Sequence, residues 1–165
     1  MTRWLDRLDR AVAAILAAGQ WLVLPVSFLL FAQWPLRDLV QAYATQANDL
    51  AQWLFALYVS LALTFATRER VHLAADVFTH GYSPRLRDWL QRLAGLLCVA
   101  PWALFILYTA TPAVWQSIGE LESFPDTRNP GYFIVKASAW LMAALQLIEA
   151  LLGFLRGTLR PARDG

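Results

Sequence analysis

The sequence predicts an all-α membrane protein with four transmembrane helices, short amphipathic surface helices and both termini on the cytoplasmic side. Three observations carry that prediction. Hydrophobic residues make up 58% of the 165-residue chain and charged residues 16%, where an ordinary soluble domain carries about 25% charge. The apolar residues are gathered into four runs, each about the 20 residues that a bilayer span requires. The basic residues cluster between these runs, and mostly on one side of the resulting topology. The whole chain, 1–165, reads as a single four-helix membrane domain.

The first run covers 11–32, AVAAILAAGQWLVLPVSFLLFA. It is too long for a signal peptide. Its lead-in mixes Asp6 and Asp9 with Arg3, Arg7 and Arg10, and no small-residue cleavage site follows it. It is therefore expected to be a retained helix. Trp34-Pro35 is expected to close it, with Leu36, Leu39, Val40 and Tyr43 forming a short surface helix on the outer side. Asn48 and Asp49 are candidate caps for the second run, 50–67. Gly81-Tyr82-Ser83-Pro84 should end one helix and start the next, with Ser83 as N-cap and Pro84 in the first turn. The third run covers 93–115 and the fourth 134–155. Leu and Ala dominate all four without a period of two, which excludes a transmembrane barrel. Pro25 and Pro101 lie inside runs and are expected to kink them, which neighbouring helices tolerate.

Orientation follows from the charges. Eleven of the 14 Lys and Arg residues lie in the N-terminal segment, the 68–92 segment and the C-terminal segment; only Arg37, Arg128 and Lys136 lie on the other side. Basic residues concentrate on the cytoplasmic side. Both termini and the 68–92 segment are therefore expected there.

The segment RERVHLAADVFTHG, 68–81, holds both histidines. As a helix over about 69–80 it places Glu69, His72, Asp76 and His80 on one face, opposite Val71, Ala74, Ala75 and Phe78. That pattern is an amphipathic helix lying in the membrane interface, with arginines at phospholipid phosphates. A metal centre needs a closed ligand set with supporting partners, and one helix rarely supplies four ligands. Haem would need histidines inside the spans, where none stands. No cofactor, metal or catalytic residue is expected. The single cysteine, Cys98, excludes an intrachain disulfide, and a net charge of +2 does not point to nucleic acid.

Two ionisable groups fall within or beside the fourth run. Lys136 is near its outer end and can snorkel to the interface. Glu149 is deeper; a charge at a helix centre costs about 2.5–3.5 kcal/mol on insertion scales. Either Glu149 belongs to an ion or proton relay, or it pairs with an arginine at the inner boundary, such as Arg92 or Arg156. The second is favoured, because no other run has an acidic partner in its core. Close helix contacts are expected at the small residues Ala13, Ala14, Ala17, Ala18 and Gly19, and Ala137, Ser138, Ala143, Ala144 and Gly153.

In this topology several motifs occur together. Arg70, His72 and Asp76 stand in an R-x-H-hydrophobic-x-x-D order between the second and third runs. Arg37 follows the first run, Asn48-Asp49 opens the second, and Glu122-Ser123, Lys136 and Gln146 follow in order. In these features, from about Leu5 to Gly157, the chain resembles the small membrane subunit, DctQ type, of the tripartite ATP-independent periplasmic (TRAP) transporters. The resemblance implies four spans with cytoplasmic termini in the bacterial inner membrane. It implies a sodium-gradient-driven importer of organic acids or related solutes, in which a large membrane subunit carries substrate by an elevator motion. A periplasmic substrate-binding protein would deliver that substrate. The small subunit would be a non-enzymatic scaffold for the large one and a docking surface for the binding protein. On that view Arg68, Arg70, His72 and Asp76 form the cytoplasmic surface helix and loop. Arg37, Asp49, Lys136 and Glu149 are candidates for a subunit or lipid interface. Glu120, Glu122, Asp126 and Arg128 are candidates for periplasmic docking. The alternative is a small four-helix membrane redox or metal-linked enzyme subunit.

Overall fold

The computed structural model describes residues 2–39, 41–69 and 95–159, together with positions 83, 86, 89, 90 and 93. Among them the elements are α1 (Thr2–Gln20), α2 (Val23–Leu39), α3 (Gln41–Arg68), a π-turn (Gly95–Val99), α4 (Ala100–Gly119) and α5 (Tyr132–Leu159). No strand occurs among the described residues; one isolated bridge joins Ser123 and Pro130. Four stretches are long and apolar enough to cross a membrane: Trp4–Pro35, Thr45–Arg68, Gly95–Gly119 and Tyr132–Leu155. At 1.5 Å per residue the 28-residue helices α3 and α5 are each about 42 Å long, more than the hydrocarbon thickness.

Prolines shape these helices as their chemistry requires. Pro25 has no N–H for the carbonyl of Trp21, so that carbonyl accepts from Leu24 instead, at 3.2 Å. Leu22 N–H likewise donates to Gly19 at 3.1 Å, and the tightened bonding divides α1 from α2 at Trp21-Leu22. The kink expected at Pro25 is thus a short break. The π-turn ends two residues before Pro101, which sits in the first turn of α4. Bonding of the i→i+5 type relieves a carbonyl of the N–H that proline lacks.

Trp34-Pro35 ends the apolar stretch Trp4–Pro35, as expected, but it does not end the helix: α2 runs through Pro35 to Leu39. The residues expected to form a separate surface helix are divided: Leu36 and Leu39 belong to α2 and Tyr43 to α3, which begins at Gln41, and Val40 lies outside the described residues. Asn48 and Asp49 are therefore interior to α3 and cap nothing. By contrast, Ser83 Oγ does accept a hydrogen bond from Leu86 N–H at 3.4 Å, the reach of an N-cap to the third helical residue.

The pairing of residues gives the packing. Asp9 meets Arg68, Gly19 abuts Leu61, and Gln33 bonds Asn48, so α1–α2 runs antiparallel to α3 over its whole length. Between α3 and α5 the pairs Ser60–Ser138, Thr67–Gln146 and Arg68–Glu149 are separated by 78, 79 and 81 residues, so these two helices are parallel. Trp140 Nε1 donates to Thr111 Oγ1 at 2.9 Å and ties α4 to α5. The chain thus passes back and forth, and α1 begins at the same end of the bundle at which α5 finishes.

Val12, Leu16, Leu61 and Leu145 form the buried core, with Leu22, Phe65, Leu141 and Ile148 against it. Helix α5 is the hub, with 39% of its apolar window buried against 17% for each of the others. Outward faces are apolar and aromatic, as at Phe28, Phe31 and Trp34 on α2 and Phe105, Tyr108 and Trp115 on α4. A soluble protein does not leave such large apolar faces in water. Of the small residues, Gly19 is in tight contact, and Ser138 and Ala143 are buried, while Ala14, Ala17 and Ala18 face outward.

Candidate functional site

Polar chemistry gathers at the two ends of the bundle, joined by a seam between α3 and α5. Ser60, Thr64, Thr67 and Arg68 recur along α3 at spacings that keep them on one helix face. Ser60 and Thr64 return their hydroxyls to backbone carbonyls one turn back, which satisfies them without water. Ser60 Oγ also lies 2.8 Å from the carbonyl of Ser138 on α5. Thr67 Oγ1 donates to Gln146 Oε1 at 2.8 Å.

At the end holding the first residues of α1, Arg68 joins three helices. Its Nη2 is 2.5 Å from Asp9 Oδ1 on α1, and its Nη1 is 2.8 Å from Glu149 Oε1 on α5. The Glu149 side chain is 4% exposed and that of Arg68 16%. A guanidinium presents several donors in a fixed fork, so one arginine can serve two carboxylates. The arginine partner foreseen for Glu149 exists, but it is Arg68 rather than Arg92 or Arg156. The parallel packing of α3 and α5 explains this: it brings the end of the second span to the depth of Glu149. Asp9, whose place in the mixed-charge lead-in argues against a signal peptide but gives no sign of this contact, is the third member.

At the opposite end, α4 closes in a Schellman motif. Leu121 N–H donates to the Ile118 carbonyl and Glu122 N–H to that of Ser117, with Leu121 in the left-handed region at φ 47°. The Glu122 carbonyl then accepts from the N–H groups of Gly131, Tyr132 and Phe133, closing the first turn of α5. Gly131 has φ 143°, and an added Cβ would sit 3.3 Å from Phe124 Cε2, so glycine is required there. Lys136 Nζ lies 2.5 Å from Glu122 Oε2 and 5.3 Å from the centre of the Tyr132 ring; Ser117 Oγ also bonds Glu122. The Lys136 ammonium, followed by the Ser117 hydroxyl, holds the Glu122 carboxyl below its ordinary range. Lys136 is thus anchored to the loop, and much of the charge of Glu122 is satisfied within the protein. Glu120, Asp126 and Arg128 are exposed, and Glu120 accepts from Gln116 at 2.9 Å.

Asp49 belongs to this end. It is 8% exposed and receives Thr127 Oγ1 at 2.5 Å and Asn129 Nδ2 at 3.0 Å, both on Oδ2. These bonds pin the 120–131 loop to α3. Thr127 and Asn129 were not singled out in sequence, since nothing there tells which side chains of a loop turn inward. Arg37 lies on α2, with its side chain outside the described residues. Arg70, His72, Asp76 and His80 also lie outside them, and the amphipathic helix assigned to 69–80 with them. Among the described residues no group of three or more His, Cys, Asp or Glu could hold a metal.

Four apolar helical stretches bound by a polar seam, with ion pairs at the ends, define a multi-pass membrane protein. The chain belongs to the DctQ component family of the tripartite ATP-independent periplasmic transporters, whose family model matches residues 26–157. Helix α1, with Asp9 and Gly19, precedes the matched region. No curated protein and no solved structure shows a significant match to the chain.

Proposed function

We propose that this small subunit is a fixed brace for the large transport subunit in the bacterial inner membrane, with both termini and the 68–92 segment cytoplasmic. The observation that carries the reading is that intramembrane charge is used for internal pairing. Arg68 holds Asp9 and Glu149 in one cluster, and the polar seam above it bonds α3 to α5. A transport route needs polar groups directed at a pathway near the midplane. Glu149 is therefore structural rather than part of an ion relay.

Substrate movement and coupling then belong to the large subunit. The family resemblance supports a sodium gradient as the driving force and organic acids or related solutes as cargo. The exposed Glu120, Asp126 and Arg128, with Glu122 on the same loop, form the surface that docks the periplasmic binding protein, where charge mainly steers encounter. By their place in the sequence, Arg37 and Arg70 are candidates to meet phospholipid headgroups or the large subunit, and His72 and Asp76 are candidates to set the local geometry of a surface helix.

Reconstitution tests the division of labour. Proteoliposomes with this subunit alone should show no sodium-driven uptake. The large subunit and loaded binding protein together with it should restore uptake, and omitting this subunit should abolish it. Uptake by the small subunit alone, or full uptake without it, would overturn the brace.

A further inference from the structure

Beside the 120–131 loop, a cleft of about 300 Å³ opens between α3 and the loop. Its walls include Asp49, Gln52, Phe124, Asp126, Thr127 and Tyr132. The rim residues Gln52 and Asp126 are exposed, whereas Asp49 is more than nine-tenths buried. Elsewhere in the described structure the buried or half-buried carboxylates of ion pairs have cations: Glu149 and Asp9 share Arg68, and Glu122 has Lys136. Among the described residues Asp49 has only a hydroxyl and an amide as partners, and both go to Oδ2. Its Oδ1 has no donor among the described residues. A buried carboxylate with an unused oxygen and no counter-charge is costly. The group that would complete it is a cation carrying hydrogen-bond donors.

We propose that this cleft receives one Lys or Arg side chain of the periplasmic binding protein, its cation bonded to Asp49 Oδ1. The inference rests on the docking reading above and assigns it a specific point of contact. Charge and chemistry both favour this occupant. On the side of the membrane that carries the loop, the sequence places Asp38, Asp49, Glu120, Glu122 and Asp126 against Arg37, Arg128 and Lys136, so the face is net acidic. The long aliphatic stem of Lys or Arg can lie along the Phe124 and Tyr132 rings while its head reaches the carboxylate. Asp126 on the rim would guide the cation without holding it, as exposed charges do.

The test is binding of the cognate periplasmic protein to the small and large subunits reconstituted together in nanodiscs. Asp49→Asn preserves an acceptor for Thr127 and Asn129 and removes the charge. It should weaken binding on the order of tenfold or more, as loss of a desolvated charge partner does. The loss should disappear when one particular Lys or Arg of the binding protein is already Ala. Asp126→Asn should weaken binding only a few-fold and lessen its salt dependence. If Asp49→Asn binds like wild type while Glu120→Gln or Asp126→Asn weakens binding, the slot is wrong and the docking surface stands. Full binding by all three variants would remove both. If the Asp49→Asn defect vanishes when choline replaces inorganic cations at equal ionic strength, the cleft holds a metal cation and the proposal fails. Should Asp49→Asn fail to fold, a Lys and Arg to Ala scan of the binding protein against the wild-type membrane complex decides. One dominant position supports the slot, and a flat scan refutes it.

Discussion

Arg68 shows what a single residue does in this protein. It ends α3, and its two donor groups reach carboxylates on α1 and α5, so one side chain fixes three helices at one depth. Removing the arginine leaves Glu149 buried and charged without a partner; removing the charge of Glu149 leaves Arg68 on Asp9. Arg68→Ala should therefore destabilise the protein by about 3 kcal/mol. Glu149→Gln should cost nearer 1 kcal/mol and leave the sodium dependence of uptake unchanged. Thermal melts in detergent with matched expression levels give the comparison. A changed sodium Hill coefficient in Glu149→Gln at normal assembly would place Glu149 on an ion path. Glu122 makes a second residue-scale case. Its carboxyl titrates lower in the folded protein than when free, so its contribution is present above the free value of 4.5. That contribution is lost only as pH falls through the depressed folded value. The loop should consequently hold its Glu122–Lys136 pair at pH 4.5, and acid unfolding of Glu122→Gln should be less steep below that pH. Equal acid profiles for the two proteins would count against the pair.

At the scale of elements, the close approach of α1 and α3 rests on Gly19, where an added Cβ would lie 2.5 Å from Leu61 Cδ1 and 2.9 Å from its Cβ. Gly19→Leu should force the helices apart, destabilising by about 1–3 kcal/mol, whereas Gly153→Ala has open space and should be nearly neutral. Detergent melts of both variants check this; an unaffected Gly19→Leu would mean the helices do not pack there. The four spans were legible in the sequence because apolar length is a direct physical requirement of the bilayer. The ends of the helices that carry them were not. Pro35 reads as a stop in water, yet α2 continues through it, since helices in lipid keep their remaining backbone bonds at almost any local cost. For the same reason Asp49 looked like a cap and proved to be interior. The charged partner of Glu149 was predictable in kind but not in identity. Which arginine reaches it depends on α3 and α5 running parallel, and that registration comes from long-range packing. The polar stripe from Ser60 to Arg68 was in plain view as a helical periodicity, and it marks the α3 face that meets α5.

Across the whole molecule, the two ends differ in kind. One end is a three-helix ion cluster leading to the arginine-rich segments; the other is a tightly bonded acidic loop with a cleft. We expect the first to be cytoplasmic. Alkaline phosphatase fused after Thr45 or Asp126 should be active, and fused after His80 or Gly165 inactive; the reverse would invert the assignment. The polar seam, the cluster at Arg68 and the loop pinned to α3 by Asp49 tie the same helices together at both ends and along their length. Such a unit should hold one shape while the large subunit moves. The direct measurement is the distance between spin labels at the exposed positions Glu120 and Leu155, at opposite ends of the bundle, with the exposed Cys98 replaced by Ser. It should be made by pulsed electron resonance on the full membrane complex trapped inward-facing and outward-facing. The brace predicts one distance distribution common to both states, and a distribution that shifts between them would contradict it.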